Sequence, residues 1–481
     1  MSRSKKIGAL LGVLLIVCVG TICVSKYEEQ KEQIKNSDEI VMELNTEDVT
    51  SLSWEYEGED ETISLAFHKD ETWLYDEDEN FPVDEEKVNE LLETFQALGA
   101  SFIIEDVEDY AQYGLEEPVC TINIGTEEES YEILLGDYST MDEERYVSFG
   151  DGNVYLVSSD PMETYELELK DMIQHDEIPD FDSVQEIQFT GSENYTVIYS
   201  EENKITYSEK DVYFVENEDE TLPLDSSNVR SYARSISSLG LSEYVTYNAS
   251  EEEITSYGLD DPELSITIWY TTEEEEDKEE DEEESKEQTS TFVLNISRDP
   301  KEREEASEDA SDEETDEEEE ITAYARIGDS QIVYQLDGSD YETLMAASYN
   351  DLRHQKIIWA DFDDVTQVDI TLEDVEYTLI KEEEDKKTLW YYQEEEIEIS
   401  EFEDALTALT ASEFTEEDPV DKEEIGLTIH LDNENVQEVE LSLYRHDGSS
   451  CMVKVDGKPV ALVSRSSVVD LMEAVNAIVL N

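Results

Sequence analysis

Basic residues are scarce in this chain. Of its 481 residues, 30 are Lys or Arg and 130 are Asp or Glu, so the formal net charge is -100 at neutral pH. Such a chain repels phosphate backbones and anionic lipid surfaces, which disfavours nucleic acid and an anionic membrane surface as partners. Two tracts, 273–287 and 301–320, hold 12 and 13 of the acidic residues. Most of the charge lies elsewhere, so the folded surface itself is acidic.

Cysteine is also rare, with four residues in the whole chain. Cys18 and Cys23 fall in an apolar N-terminal stretch, while Cys120 and Cys451 lie far apart. This spacing indicates neither a disulfide framework nor a CxxC metal site.

Motifs that carry known chemistry are missing too. The five histidines form no HExxH, and the chain has no GxSxG, no P-loop and no GxGxxG after a strand. The stretch Asp76–Asn80 has alternating oxygens like a calcium loop, but Phe81 stands where the glycine of that loop must turn. We assign no catalytic, cofactor-binding or metal-ligating residue and predict no cofactor. Paired carboxylates for glycoside hydrolysis stay an open alternative, since a close pair among 130 acids carries little information.

An apolar run, Ile7–Val24, lies near the N-terminus after Arg3, Lys5 and Lys6. Eighteen apolar residues can just span a hydrocarbon core of about 30 Å, and the basic flank favours a cytoplasmic N-terminus. We predict an uncleaved single-pass anchor with the later residues outside the cell. The alternative is a cleaved signal peptide, which usually has a shorter apolar region and a small-x-small site that this run lacks. The predicted cytoplasmic flank, transmembrane helix and acidic stalk are residues 1–6, 7–24 and 25–48.

What the chain does have is internal repetition. The segment EDYAQYGLEEPVCTINI from Glu108 recurs as EITSYGLDDPELSITIW from Glu253, and a shorter form, KEEIGLTIHL, begins at Lys422. A feature that recurs at corresponding places is more often scaffold than active site. We predict three tandem copies of one unit, at residues 49–180, 181–360 and 361–481.

Each copy has the same order of patterns. Alternating apolar and polar residues open it, from Val49, Val184 and Val365, and predict half-buried strands. Apolar residues three and four apart then predict a helix, after which come further strands, a hairpin and a last helix. The fold class is therefore α+β, with three copies of a mainly antiparallel sheet-plus-helix unit behind the N-terminal transmembrane helix.

Two positions in each copy predict local structure. Asp84, Asp225 and Ser400 precede the helices and are expected to cap them with a side-chain oxygen. The glycine of the Tyr-Gly-Leu motif is expected to end a helical turn, because glycine accepts the left-handed backbone that such an end requires. These glycines are Gly114, Gly258 and Gly426.

The second copy carries acidic insertions at 273–290 and 301–320, on either side of the strand-like segment Thr291–Ile296. Runs of like charge cannot bury enough apolar surface to become ordered, so we predict disordered loops at both ends of one strand.

The segment Asn350–Ile370, the Tyr-Gly-Leu turns and the acidic copies behind an anchor resemble the bacterial DUF4340 domain proteins. The corresponding first junction, Asp171–Ile187, has no counterpart of Arg353. His175 and His354 recur before the two junctions, which indicates packing or capping. The resemblance implies no activity, because that family has none assigned. It implies an accessory role at a membrane transport complex, since similar proteins commonly appear beside ABC-2-type exporter components.

We therefore expect a non-enzymatic, membrane-anchored extracellular module that assembles with an integral-membrane transporter or a cell-envelope protein. Divalent cations would bind only weakly and non-specifically. An envelope enzyme such as a glycan hydrolase and an extracellular cation-binding protein are the alternatives. An enzyme would place unusual polar residues in one copy only, within a concave pocket.

Overall fold

The fold consists mainly of β-strands. The structure is a computed structural model, and it describes residues 33–58, 61–181, 183–202, 204–216, 221–272, 288–309, 321–384 and 387–480. The chain divides into two compact units. The first contains the described residues up to Asp176 together with Ser242–Ala249, and the second contains Glu177–Leu241 and Ser250–Asn481.

The described strands form three nine-stranded sheets, which we call sheets A, B and C. Sheet A contains β1 (Gln33–Met42), β2 (Val49–Glu57), β3 (Thr62–Lys69), β4 (Trp73–Tyr75), β5 (Leu98–Glu105), β6 (Cys120–Thr126), β7 (Ser130–Ser139), β8 (Glu144–Ser148) and β9 (Val154–Val157). Sheet B contains β10 (Ser183–Gly191), β11 (Tyr195–Tyr199), β12 (Tyr213–Glu216), β13 (Thr221–Pro223), β14 (Tyr244–Thr246), β15 (Leu264–Thr272), β16 (Gln288–Arg298), β17 (Ala323–Ile327) and β18 (Val333–Leu336). Sheet C contains β19 (Val365–Leu372), β20 (Val375–Glu384), β21 (Lys387–Tyr392), β22 (Glu395–Ile397), β23 (Ala411–Phe414), β24 (Glu423–Leu431), β25 (Glu438–Arg445), β26 (Ser450–Val455) and β27 (Lys458–Ser464).

Short helices connect these strands. They are α1 (Glu85–Glu93), α2 (Met162–Tyr165), α3 (Ser226–Ser237), α4 (Glu251–Ser256), α5 (Pro300–Asp309), α6 (Gly338–Met345), α7 (Tyr349–Leu352), α8 (Ser400–Thr407) and α9 (Arg465–Val479). In the described part of the chain, four 3-10 turns lie at Thr46–Asp48, Tyr110–Tyr113, Leu169–Met172 and Phe362–Asp364. Among the described residues, no helix is long and apolar enough to cross a bilayer. The predicted anchor at 7–24 lies outside the described residues.

Sheets B and C share one topology, and sheet A follows eight of its nine strands. Sheet B runs β13-β12-β11-β10-β15-β16-β17-β18-β14, and sheet C runs β22-β21-β20-β19-β24-β25-β26-β27-β23 along the same path. Sheet A follows that path from β4 through β3, β2, β6, β7, β8 and β9 to β5, and adds β1 beside β5. Neighbouring strands are antiparallel. The predicted repetition of a mainly antiparallel sheet with helices is confirmed.

The first strand corrects one prediction. Residues 33–42 fall in the predicted acidic stalk, yet they form β1 and pair with β5. Met42 and Leu44 are buried, and the Leu44 amide donates to the Phe95 carbonyl at 3.1 Å. Burial of these two side chains explains why this acidic stretch joins the sheet.

The predicted helix caps hold in two copies. Asp84 accepts hydrogen bonds from the Glu86 and Lys87 amides, and Asp225 accepts one from the Ser227 amide. The prediction for Ser400 was wrong. Helix α8 starts at Ser400 itself, because Ile399 already has helical backbone angles (φ -98°, ψ -14°), and no side chain caps it.

The predicted glycine turns also form in two of the three copies. Gly114 and Gly258 end helical turns with φ of 70° and 72°. Gly426 instead lies inside β24, so the predicted turn in the third copy was wrong. The third copy has fewer residues between its helix and this glycine, and the strand passes straight through the position.

Part of each acidic insertion has regular secondary structure. Strand β16 already begins at Gln288, and helix α5 covers Pro300–Asp309, so the predicted disorder does not hold for 288–290 and 301–309. The rest of both insertions, 273–287 and 310–320, lies outside the described residues.

Each unit has its own core. In the first, Trp54 is buried against Phe67 and Tyr165, with ring centroids 5.6 Å apart in both pairs, and Tyr165 donates to the Leu91 carbonyl of α1. In the second, helices α8 and α9 cover sheet C and bury Phe402 at its centre. Alternate residues of strands such as β15 and β25 supply these cores, as the period of two requires.

Candidate functional site

The segment from Ser348 to Asp364 joins sheet B to sheet C within the second unit. It begins with α7, where Ser348 and Asp351 form a reciprocal capping box. The Leu352 carbonyl accepts from the Asp225 amide of the sheet B copy, and the Ile357 amide donates to the Leu409 carbonyl of the sheet C copy. We call it the junction segment. It is hydrogen-bonded to both copies and therefore fixes them to each other.

Two residues of the junction segment form a polar cluster around one buried carboxylate, Asp211. His354 Nε2 lies 2.9 Å from one oxygen of Asp211, and Trp359 Nε1 donates to the other oxygen at 3.0 Å. The Asp211 side chain is only 2% exposed. A buried carboxylate is costly unless both oxygens are satisfied, and here both are. An ionised carboxylate offers no donor, so Nε2 of His354 is the donor to Asp211. We call Asp211, His354 and Trp359 the seam cluster.

Further contacts surround the seam cluster. The His354 ring stacks on Trp359 with a centroid distance of 4.2 Å, and its other nitrogen lies 3.4 Å from Asp225, the cap of α3. Tyr207 packs on Trp359 at 4.9 Å, and burial raises the pKa of its hydroxyl. The seam therefore couples a helix cap, a buried carboxylate and an aromatic stack in one place.

An acidic hollow of about 950 Å³ adjoins the seam. Its lining includes Trp359 and Tyr207 together with the carboxylates Glu209, Asp361, Asp364, Asp432 and Glu434. The side-chain amides of Asn433 and Asn435 donate hydrogen bonds to the Tyr207 and Thr206 carbonyls and so fix one wall of the hollow. Within the described part of the chain, no group of three acidic, histidine or cysteine side chains is arranged to hold a metal ion.

An open groove of about 690 Å³ lies beside the same segment. Side chains from both copies and from the junction segment line it, among them Glu193, Tyr195, Val215, Leu222, Ser348, Tyr349, Arg353, Phe414, Thr415, Glu416 and Val460. We call it the Arg353 groove. Its walls mix apolar and polar groups, which is the usual composition of a ligand-binding concavity.

Arg353 is the unusual residue of this groove. Its guanidinium carbon lies 4.9 Å from the ring centre of Tyr349 and 4.2 Å from that of Phe414. Burial lowers the pKa of the guanidinium, and the Tyr349 hydroxyl opposes that shift. Within the described residues, no carboxylate forms an ion pair with it. This is unexpected in a chain that has 130 acidic residues.

The structure places the residues singled out from sequence as follows. His354 enters the seam cluster, whereas the stretch Asp76–Asn80 forms a local turn in which Asp78 accepts from the Asn80 amide at 3.0 Å and from Tyr247 at 2.7 Å. Sequence reasoning missed Asp211 as a partner of His354 and Phe414 as a partner of Arg353. The available signal was the asymmetry of the two junctions, since only the second has an arginine before its histidine.

Comparison with known proteins gives one match. The family model described as "Domain of unknown function (DUF4340)" matches residues 73–221 and 215–429. No curated protein and no solved structure matches. The matches begin in β4 and β12, the third strand of a copy, and end in the following copy. Each match therefore contains one complete junction between copies, and the second contains Arg353, His354 and Trp359.

Proposed function

The chain belongs to the DUF4340 family, and we propose that it is a membrane-anchored extracellular interaction module whose Arg353 groove binds a partner protein. The partner would be an integral-membrane component of an ABC-type transport or cell-envelope complex. The module would act by assembly and would carry out no chemical reaction.

The observation that supports this most is the construction of the groove. Leu222 comes from the sheet B copy, Val460 from the sheet C copy, and Arg353 from the segment between them. The junction segment that carries Arg353 is hydrogen-bonded to both copies, which lie in one compact unit. A concave surface formed where repeated units meet is a common way for repeat proteins to bind partners.

The membrane part of the proposal comes from the apolar run Ile7–Val24 and the basic residues before it. An anchor in the same membrane raises the effective concentration of the two partners, so a groove of modest size can suffice. The transport partner is inferred from the genomic neighbours of similar proteins.

Site-specific photocrosslinking in intact cells tests the proposal. A photoreactive residue is placed at Leu222 or Val460, one on each wall of the groove. The control position is Val375 on β20, which is 48% exposed and lies outside the groove lining. We expect both groove positions to give the same adduct with one integral-membrane protein, and the control position to give none.

Two results would contradict the proposal. One is an adduct from Val375 but from neither groove position. The other is the absence of any groove adduct in cells whose membranes retain the full-length chain. Protease accessibility of intact cells tests the topology separately, because the described part of the chain should be digested from outside.

A further inference from the structure

The donors of Arg353 have no described partner. A guanidinium has five N–H donors in its plane. An aromatic ring over its face attracts the positive charge but accepts no hydrogen bond from those in-plane donors. Within the described residues, none of these donors makes a hydrogen bond. Partly buried donors that make no hydrogen bond cost free energy. The groove is therefore better suited to a ligand that accepts hydrogen bonds from them.

We propose that the Arg353 groove binds an extended peptide segment of the partner through one carboxylate side chain, which accepts hydrogen bonds from Arg353. This inference rests on the proposed function, because it names the ligand chemistry of the same groove. Carboxylates match the guanidinium fork and can accept two parallel hydrogen bonds from it.

Charge complementarity favours a carboxylate over other anions. The groove also contains Lys458, Glu193 and Glu416, and burial together with Asp351 raises the pKa of Glu193. The two acids oppose a dianionic phosphate more strongly than a single carboxylate. Arg353 and Lys458 thus supply local positive charge in a chain whose net charge is -100.

The other residues that line the groove indicate which side chains flank the carboxylate in the peptide. Leu222 and Val460 are apolar and partly exposed, and they lie around the groove with Phe414 and Tyr195. A peptide with aliphatic or aromatic residues on either side of one Asp or Glu would cover these side chains. An open groove of about 690 Å³ suits such a segment better than an enclosed small molecule.

Direct binding of defined peptides tests the inference. The full-length protein in detergent is titrated with fluorescent ten-residue peptides that carry Glu at the centre, between Val, Leu and Phe, and with the same peptides carrying Gln. We expect the Glu peptides to bind about tenfold tighter or more, because the charged pair adds to the hydrogen bonds. The net charge of the protein works against this preference, so non-specific attraction cannot produce it.

Variants locate the effect. Arg353→Met should abolish the preference for Glu, and Arg353→Lys should retain only part of it, because an ammonium cannot form the fork. Arg230→Met is the matched control, since Arg230 is an exposed arginine on α3 outside this groove, and it should leave the preference unchanged. Thermal unfolding of each variant shows that the fold is retained.

Equal binding of Glu and Gln peptides, or a preference that survives Arg353→Met, would overturn the inference, as would the absence of binding by every Glu peptide. Loss of self-association in Arg353→Met would also overturn it, because a second copy would then be the occupant. In each case groove crosslinks to a membrane protein could persist, so the proposed function would be judged on its own experiment.

Discussion

Arg145 in the first unit and Arg353 in the second are both largely removed from water, yet they are used differently. The Arg145 side chain is 11% exposed, pairs through two nitrogens with Asp160, and donates to the Gly136 carbonyl at 2.7 Å. Arg353 contacts two aromatic rings and, within the described residues, no carboxylate. Arg145 is matched by a carboxylate from its own fold. We infer that Arg353 is kept for a partner.

Removing Arg145 should have the largest effect on stability. Arg145→Met leaves Asp160 buried and unpaired, and loss of one partner of a buried ion pair costs about 3–5 kcal/mol. The double variant Arg145→Met/Asp160→Leu should recover much of this loss, because it removes the uncompensated charge as well. Full loss in the double variant would show that packing, rather than the ion pair, is what Arg145 supplies.

Two buried cysteines report which of the two units is destabilised by Arg145→Met. Cys120 and Cys451 are buried, and burial raises the pKa of each thiol to about 12. A raised pKa keeps both thiols protonated at pH 8, so alkylation requires local opening. Arg145→Met should accelerate alkylation of Cys120 in the first unit about a hundredfold or more, while Cys451 in the second unit keeps its rate. Peptide mass spectrometry measures both in one sample.

The seam cluster should be the next most sensitive feature. Asp211→Leu leaves the donors of His354 and Trp359 without their acceptor, and two buried unmade hydrogen bonds cost about 2–4 kcal/mol. We expect a shift in Trp359 fluorescence and faster hydrogen exchange in β12 and β19. Asp369→Asn is the comparison, because Asp369 holds His430 at 2.8 Å in a partly exposed site, and its loss should matter less. Equal effects would contradict the central position of Asp211.

The glycine turns give a smaller contrast. Gly114 has positive φ, and an added Cβ would lie 2.8 Å from the Asp137 backbone nitrogen, so Gly114→Ala should cost about 1–2 kcal/mol. At Gly426 an added Cβ would meet mainly the flexible end of Glu423, so Gly426→Ala should change stability by less than about 0.5 kcal/mol. Hydrogen exchange of β6 and β24 measures both. Similar costs would show that the positive φ of Gly114 is not what makes that position sensitive.

Local and periodic features were readable from the sequence. Asp84 and Asp225 cap helices because their side chains reach amides two or three residues away, and Gly114 ends a turn because of its own backbone. Alternation predicted the strands, and repetition predicted that the sheets would share a topology. The predictions for Ser400 and Gly426 were wrong because the third copy differs from the other two in sequence and in the spacing of these residues.

The seam could not be predicted in the same way. Asp211 and His354 are 143 residues apart, and nothing in either local pattern pairs them. Phe414 lies on the short strand β23, and its neighbour β27 is still farther from Arg353 in sequence. Such contacts depend on how two copies pack. The first strand shows the same limit, since its pairing with β5 depends on an edge formed about 60 residues later.

The most direct test of the central claim is the photocrosslink from Val460, measured with Arg353 intact and with Arg353→Met. Without a structural ion pair to break, Arg353→Met should change the stability of the second unit by less than about 1 kcal/mol, yet it should remove most of the adduct with the membrane partner. Arg230→Met should leave the adduct in place. An undiminished adduct in a folded Arg353→Met chain would contradict the claim that Arg353 is kept for a partner.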